Sequence, residues 1–217
     1  MHMSLTKSLF LTGSILLATS NMASAAAISF STSFGPATTD FSIGPLSLTS
    51  FNSSLGTLTG VKLTLSGTGN FNGTVTNRGG QNETFTLNES TALNITSVTA
   101  GLNGLFTSFA SSQTFTNLAA GATANFGPFS PTNTSTTNPT NLSDFSGPLS
   151  FTASTVTNTS TQGGGGNVTT NFTTVASGVV GVTYTYAAAA TSVPEPASVA
   201  LLGASLFGMG LIRRRMA

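Results

Sequence analysis

Apolar and polar residues alternate along much of the chain between residues 26 and 186. In residues 58–66, for example, Val61, Leu63 and Leu65 alternate with polar side chains. The same period of two recurs in three further segments, residues 83–88, 149–155 and 180–186. Successive side chains of a strand point to opposite faces of a sheet, so this period predicts half-buried β-strands.

Clusters rich in Gly, Asn and Pro separate the alternating segments, and long helical periods are absent. The clusters are residues 67–70, 77–82, 127–128, 131–139 and 163–167. Many short strands with intervening turns predict an all-β fold, an antiparallel β-sandwich. Phenylalanine is expected to fill much of its core, with Phe51, Phe71, Phe85, Phe106, Phe109, Phe115, Phe126, Phe151 and Phe172 as candidates.

The last twenty-five residues follow a different pattern. Val193, Pro194, Glu195 and Pro196 precede an uncharged apolar run, residues 197–212, which is followed by Arg213, Arg214 and Arg215. The two prolines fix φ and lack amide protons, which predicts an extended, accessible segment. As a helix the apolar run would span roughly 24 Å, somewhat less than a ~30 Å hydrocarbon core. The arginine cluster predicts a cytoplasmic end.

This order of Pro-Glu-Pro, apolar helix and arginine cluster resembles the PEP-CTERM sorting signal of exported proteins in Gram-negative bacteria that make extracellular polysaccharide. The resemblance covers residues 193–215. It implies recognition at Pro-Glu-Pro by an exosortase, a membrane-embedded cysteine transpeptidase that releases or re-attaches the upstream part. The competing interpretation is an ordinary single-pass anchor on a proline-bearing stalk.

Residues 1–25 are typical of a secretory signal peptide, which we expect to be helical. Lys7 supplies the positive charge, residues 9–18 are apolar, and Ala23 and Ala25 form a small-x-small cleavage site. Cleavage is predicted after Ala25, and the alternative is an uncleaved anchor. The predicted organisation is a signal peptide (1–25), a β-sandwich (26–186), a linker (187–192) and a sorting signal (193–217).

Composition excludes several kinds of chemistry from the body. Charged residues make up 5% of the chain, Cys and Trp do not occur, and the sole histidine, His2, lies in the leader. The body keeps Lys62 and Arg78 against four carboxylates, hence a net charge of 2 − 4 = −2. No basic patch remains, so a nucleic-acid partner is not expected. Ser-His-Asp, Cys-His and zinc-ligand sets cannot form there.

The four carboxylates of the body are Asp40, Glu83, Glu89 and Asp144. Glu83 and Glu89 are six residues apart, which places them on one face of an uninterrupted strand, either as a glycosidase pair or, more simply, as two solvated charges. Asp144 is interpreted as a turn residue, with a calcium ligand as the alternative. We expect no catalytic residue, cofactor or metal ligand. Residues 163–166 are a flexible glycine loop, since a phosphate cradle would need a following helix and a lysine.

The body also resembles the choice-of-anchor E domain. The resemblance rests on residues 55–65, 118–122, 126–128, 142–147 and 181–186 within a span of about residues 28–186. It implies an extracellular β-rich body that ends in alternative anchoring signals, and it implies no activity.

The sequence therefore predicts an exported protein that is transiently anchored in the inner membrane by its C-terminal helix and then reaches the cell surface or extracellular matrix. A structural or adhesive biofilm role without catalysis is expected, and the alternative is an extracellular carbohydrate-active enzyme. Expected partners are the export translocon, an exosortase, extracellular polysaccharide and further copies of the chain. Ten Asn-x-Ser/Thr triplets occur. In so Thr- and Ser-rich a chain most of them are expected from composition, and glycosylation is the alternative.

Overall fold

The computed structural model describes residues 25–99, 101–189 and 202–206. The chain divides into a body, residues 24–189, and a second unit that contains both chain ends. In the second unit only residues 202–206 are described; they are helical, and Ser205 Oγ donates a hydrogen bond to the Leu202 carbonyl (2.8 Å). The predicted signal helix and the rest of the predicted apolar helix lie outside the described residues. Within the described ranges, no helix has the length and apolar character that a membrane span requires.

The body consists of strands joined by turns and three short 3-10 helices. The strands are β1 (Ala25–Thr38), β2 (Ser42–Leu48), β3 (Gly56–Asn77), β4 (Glu83–Thr96), β5 (Leu105–Leu118), β6 (Thr123–Phe129), β7 (Thr132–Thr137), β8 (Leu149–Gly163) and β9 (Val168–Ala188). The 3-10 helices are Ser53–Leu55, Leu142–Phe145 and Gly164–Gly166.

The strands form two antiparallel sheets. The first has the order β1-β9-β3, and β7 and β6 share the far edge of β3, β7 along residues 63–68 and β6 along residues 71–76. The second has the order β2-β8-β4-β5. Apolar side chains of both sheets join one hydrophobic core. The all-β prediction and the two antiparallel sheets are thus confirmed.

The core follows the alternation in the sequence. Leu63 and Leu65 of β3 are fully buried, as are Val180 and Tyr184 of β9. In the second sheet the fully or almost fully buried side chains include Phe85, Leu87, Leu149, Phe151 and Ala153. Most of the predicted phenylalanines are buried, and Phe34 and Phe145 join them. The alternation of apolar and polar residues therefore identified the inward face of these strands.

The turn predicted at residues 67–70 is wrong, because β3 runs through it without interruption. Its glycines make room for the opposite sheet. A Cβ atom on Gly69 would lie 2.4 Å from the ring carbons Cδ2 and Cε2 of Phe109, and one on Gly67 would lie 2.9 Å from Phe109 Cε1. Glycine here accommodates an aromatic ring inside a strand, which local sequence does not distinguish from a turn.

Two further expectations are corrected. Residues 131–139 were expected to form a turn but contain β7, a strand of Thr, Asn and Ser without any apolar residue to signal it. Phe106 is 47% exposed. It lies between the buried Leu105 and Thr107 of β5, so the alternation of that strand turns its ring outward.

Candidate functional site

A groove of about 580 Å³ opens where the start of β5, strand β7 and the segment before the Leu142–Phe145 helix come together. Its walls are mostly polar and uncharged. They consist of Gly101, Asn103, Gly104, Leu105, Phe106, Ser135, Thr137, Pro139, Thr140, Asn141 and Asp144. The outward ring of Phe106 is the aromatic member of this set.

Asp144 closes a small hydrogen-bonded turn at the groove wall. Asn141 Nδ2 donates to Asp144 Oδ1 (2.7 Å), and Ser143 Oγ donates to Asn141 Oδ1 (2.8 Å). The second oxygen, Asp144 Oδ2, is buried without a hydrogen-bond partner among the described residues. These contacts support the interpretation of Asp144 as a turn residue. No group of three or more His, Cys, Asp or Glu side chains that could hold a metal ion occurs in the described ranges.

The groove suits an uncharged, hydroxyl-rich ligand. Amide and hydroxyl groups can both donate and accept hydrogen bonds. An exposed aromatic ring offers an apolar face to a flat, weakly apolar ring of a ligand. One carboxylate, Asp144, lies in the walls, whereas most glycosidases use a pair.

Glu89 occupies an unusual place, facing inward between the two sheets with 1% of its side chain exposed. Its Oε1 accepts a hydrogen bond from the hydroxyl of Thr174 in β9. Its Oε2 is buried without a partner among the described residues. Burial raises the pKa of Glu89, and the Thr174 hydrogen bond offsets part of that rise. The prediction of a solvated charge is therefore wrong for Glu89.

The inward position of Glu89 could have been predicted from the alternation of β4. It has the same parity as Phe85 and Leu87, so the alternation that buries them buries Glu89 as well. Its partner Thr174 lies in the other sheet, 85 residues further along the chain, and no local pattern connects the two residues.

Glu83 and Glu89 share the inward face of β4, yet they do not form a catalytic pair. Six residues of extended strand separate them by roughly 20 Å, whereas glycosidase carboxylates lie about 5–9.5 Å apart. Phe85 and Leu87 fill the face between them.

Asp40 lies elsewhere again, in the connection between β1 and β2. Its Oδ1 accepts a hydrogen bond from the Thr157 amide of β8 (2.6 Å), and the adjacent Phe41 amide donates to Thr155 Oγ1 (3.2 Å). Asp40 thus holds its loop against the second sheet. The four carboxylates of the body thus lie on three elements: the connection between β1 and β2, strand β4 and the Leu142–Phe145 helix.

The predicted processing residues fall mostly outside the described ranges. Val193, Pro194, Glu195, Pro196, Arg213, Arg214, Arg215 and Ala23 are among them. Ala25 is described as the first residue of β1, paired with Ala187 of β9. The glycine loop is a three-residue 3-10 helix, Gly164–Gly166, that leads into β9.

The body is thus a two-layer β-sandwich that carries a polar groove, and the segment that follows the body has the clearest functional signature. Residues 192–215 match the family described as PEP-CTERM protein-sorting motif. The match supports a PEP-CTERM protein and implies exosortase recognition, with export through membrane-anchored processing. It does not extend into the body, so the resemblance to the choice-of-anchor E domain stays a prediction.

Among curated proteins, none matches this chain. It is similar to a chain in the structure of the infectious bursal disease virus Gx strain, with 15% identity over 76% of this chain and 37% of that chain and a TM-score of 0.24. A chain of the T13 particle of the same virus gives 14% identity, 80% and 41% coverage and a TM-score of 0.16. Likenesses this weak define neither the fold nor the function.

Proposed function

We propose that this protein is an exosortase-processed component of the cell surface or extracellular matrix with a structural and adhesive role. The observation that carries the proposal is the PEP-CTERM motif at residues 192–215, which follows a compact β-sandwich. Such a motif directs the upstream body out of the cell. The function of the mature protein then belongs to the body and its surface.

The distribution of charge supports a non-catalytic body. Glu83 and Glu89 are separated by roughly 20 Å of strand, and Asp40 is hydrogen-bonded to Thr157. Glu89 is enclosed in the core. The alternative, a glycosidase of the usual kind, uses two carboxylates across one sugar bond, and none of these positions favours it.

The groove beside Phe106 supports adhesion to neutral polysaccharide. Sugar hydroxyls pair with amide, hydroxyl and carboxylate groups, and sugar rings pack their C–H faces on aromatic rings. Asn103, Thr137 and Thr140 supply polar groups, and Phe106 supplies the ring. Few charges lie on the body, so binding should change little with salt.

The processing step is tested in an exosortase-bearing host by following the C-terminus with mass spectrometry. The parent protein should lose its C-terminal segment, whereas Glu195→Ala should remain unprocessed and membrane-bound. Ser198→Ala, in the apolar run, is the matched control and should be processed normally. Release of Glu195→Ala as readily as the parent would contradict the sorting function.

The arginine cluster has a separate role in the precursor. Changing Arg213, Arg214 and Arg215 together to Ala should weaken the orientation and retention of the precursor, because cytoplasmic positive charges hold a membrane segment in place. Fractionation of membranes during a pulse-chase measures this. Retention equal to the parent would show that the cluster is dispensable.

Adhesion is tested by sedimenting the released protein with insoluble polysaccharide isolated from the host. Phe106→Ala should reduce binding severalfold. Val156→Ala is the control, since Val156 is similarly exposed (52%) and does not line the groove. Equal binding by both variants would show that the groove is not the binding site. Absence of binding by the parent would contradict adhesion to polysaccharide itself.

A further inference from the structure

The two sheets end in edge strands that differ in how well they are protected. Edge strands expose unpaired N–H and C=O groups, and proteins usually guard them with charges, prolines, bulges, short length or a covering element. The body contains six charged residues, which are Asp40, Lys62, Arg78, Glu83, Glu89 and Asp144. Charge is therefore scarce, and protection has to come from the other devices.

Side-chain hydrogen bonds tie the edge formed by β5 to β6 and β7 of the other sheet. Asn133 Nδ2 of β7 donates to the Ser108 carbonyl (2.8 Å). Gln113 of β5 reaches across to β6, where its Nε2 donates to the Asn125 carbonyl and its Oε1 accepts from the Gly127 amide, both at 3.1 Å. These contacts join the edges of the two sheets on that side of the sandwich.

The remaining short edges are interrupted. Strand β2 has seven residues, contains Pro45 and shifts register between Ile43 and Leu46. Strand β6 also has seven residues, contains Pro128 and lies beside a register shift between Phe71 and Gly73. Strand β7 has six residues. None of the three offers a long, regular edge for another chain.

Strand β1 lacks these devices over its first ten residues, the β1 edge (residues 25–34). It contains neither proline nor charge there. Each residue from Ala25 to Phe34 pairs in regular register with β9, and the first shift comes after Phe34. On the side away from β9, among the described residues, Thr32 Oγ1 donates a hydrogen bond to the Ser47 carbonyl of β2 near the end of this segment.

The side chains of the β1 edge suit a neighbour strand. The outward face carries only small, exposed residues, Ala25, Ala27, Ser29, Ser31 and Ser33. On the inward face, Ile28 and Phe30 are only half-buried against the core. A strand added beside β1 would pair the free backbone groups and cover the rest of these two apolar side chains.

We propose that the occupant is a second copy of this chain, whose β1 edge pairs antiparallel with this one about a two-fold axis. The inference rests on the proposed function and names the surface through which the released bodies associate. The β1 edge is self-complementary. In an antiparallel register that places the inward faces of both copies on the same side of the joined sheet, Ile28 and Phe30 of one copy lie beside Ile28 and Phe30 of the other. After the predicted cleavage, nine residues of this edge remain in each copy (residues 26–34), and they would form about nine hydrogen bonds, within the range of an ordinary stable interface.

The symmetry of this contact predicts a closed dimer. Each copy uses its single β1 edge, so the two-fold pairing consumes both surfaces and does not propagate into a filament. The two first sheets would join into one continuous sheet. Larger assemblies would then require a second kind of contact.

A cysteine scan tests the pairing and its register, because the chain contains no cysteine of its own. Residues 27–32 are changed to Cys one at a time in the exported protein, and disulfide dimers are measured after mild oxidation. Antiparallel two-fold pairing brings a residue close to its own copy only at the axis. The expected result is a single maximum within residues 27–32 that falls away on both sides.

Ser108→Cys is the matched control for the scan. Ser108 is an exposed serine on the β5 edge that is tied to the other sheet, so crosslinking there should remain at background. Crosslinking that is uniform along residues 27–32, or no greater than at Ser108, would overturn the proposed pairing.

A charge at the edge gives a second, independent test. Ser31→Lys should weaken the dimer by about tenfold or more, because a lysine on an edge strand opposes pairing with another strand and each copy would carry one close to the axis. Ser108→Lys places the same charge on the β5 edge and should leave the dissociation constant unchanged. Sedimentation over a range of concentrations measures both variants beside the parent.

The outcomes separate this inference from the proposed function. If the parent dimerises and Ser31→Lys dimerises equally well, the β1 edge is not the interface, while export and adhesion stand. If the parent is processed and binds polysaccharide but stays monomeric at high concentration, self-association through any edge is excluded. Failure of C-terminal processing would instead contradict the proposed function.

Discussion

The side chain of Glu89 in β4 accepts a hydrogen bond from the hydroxyl of Thr174 in β9, and this contact links the two sheets through the core. Only one carboxyl oxygen is satisfied this way, because Oε2 is buried without a partner among the described residues. An ionised carboxylate in such a place is costly, whereas a protonated carboxyl group is tolerated much better.

The first prediction concerns the pH dependence of stability. Burial raises the pKa of Glu89 in the folded protein above 4.5. The protonated form is therefore favoured by folding, and its stabilising contribution is complete below pH 4.5 and is lost as pH rises through the folded pKa. A single group changes the free energy of unfolding by at most about 1.4 kcal/mol per pH unit. Urea unfolding between pH 4 and pH 8 measures this loss.

Glu89→Gln is the test variant, since an amide of the same shape does not titrate. The difference in unfolding free energy between the parent and Glu89→Gln should change with pH in favour of the variant as pH rises. Glu83→Gln, at the half-buried start of the same strand, is the control. Parallel profiles for the parent and Glu89→Gln would show that Glu89 does not titrate with folding.

The second prediction concerns the close contact between Gly69 and Phe109. Gly69→Ala should lower the free energy of unfolding by about 1–3 kcal/mol, because the added methyl group would overlap the Phe109 ring. Gly80→Ala is the control, since a Cβ at Gly80 meets nothing within 4 Å. Combining Gly69→Ala with Phe109→Leu should cost less than the sum of the two changes. Strict additivity would contradict the overlap.

The third prediction concerns Asn77, whose buried amide organises the turn between β3 and β4. Its Nδ2 donates to the carbonyls of Gln81 (2.7 Å) and Leu118 (2.9 Å), and its Oδ1 accepts from the Gly79 amide (2.8 Å). Asn77→Ala should cost about 2 kcal/mol, because three part-buried backbone groups lose the partner that Asn77 provides. Asn72→Ala, at an exposed position of the same strand, should be nearly neutral in the same denaturation experiment.

The fourth prediction concerns the leader. The exported protein should begin at Ala26 or within one or two residues of it, as determined by N-terminal sequencing. Such a cut leaves β1 nearly whole, because that strand begins at Ala25. Ala25→Leu should retain the leader, since the small-x-small site is lost, whereas Ala27→Leu should be cut normally. A protein that begins at Met1 or Met3 would show that the leader is not removed.

The strands of the body could be predicted from the sequence, whereas the groove beside Phe106 could not. The alternation of Leu63 with Thr64, or of Phe85 with Thr86, predicts a strand and its inward face without knowledge of any partner. The groove beside Phe106 could not be predicted, because its residues come from β5, β7 and the segment before Leu142, and only folding brings them together. Hydrophobicity alone placed Phe106 in the core. The alternation of β5 turns its ring outward instead.

The sorting segment and the alternating strands were readable from the sequence because both depend on order along the chain. The sorting signal is defined by the order of its parts along the chain, which are Pro-Glu-Pro, the apolar run and Arg213 to Arg215. The two-residue period follows from strand geometry. Contacts between distant residues decided the rest. Gly69 continues a strand because it faces Phe109, Glu89 is retained in the core beside Thr174, and β1 has the most regular edge among the described residues because the other edges are tied down or interrupted. Each of these outcomes depends on which strands become neighbours, and that choice is made only when the two sheets pack together.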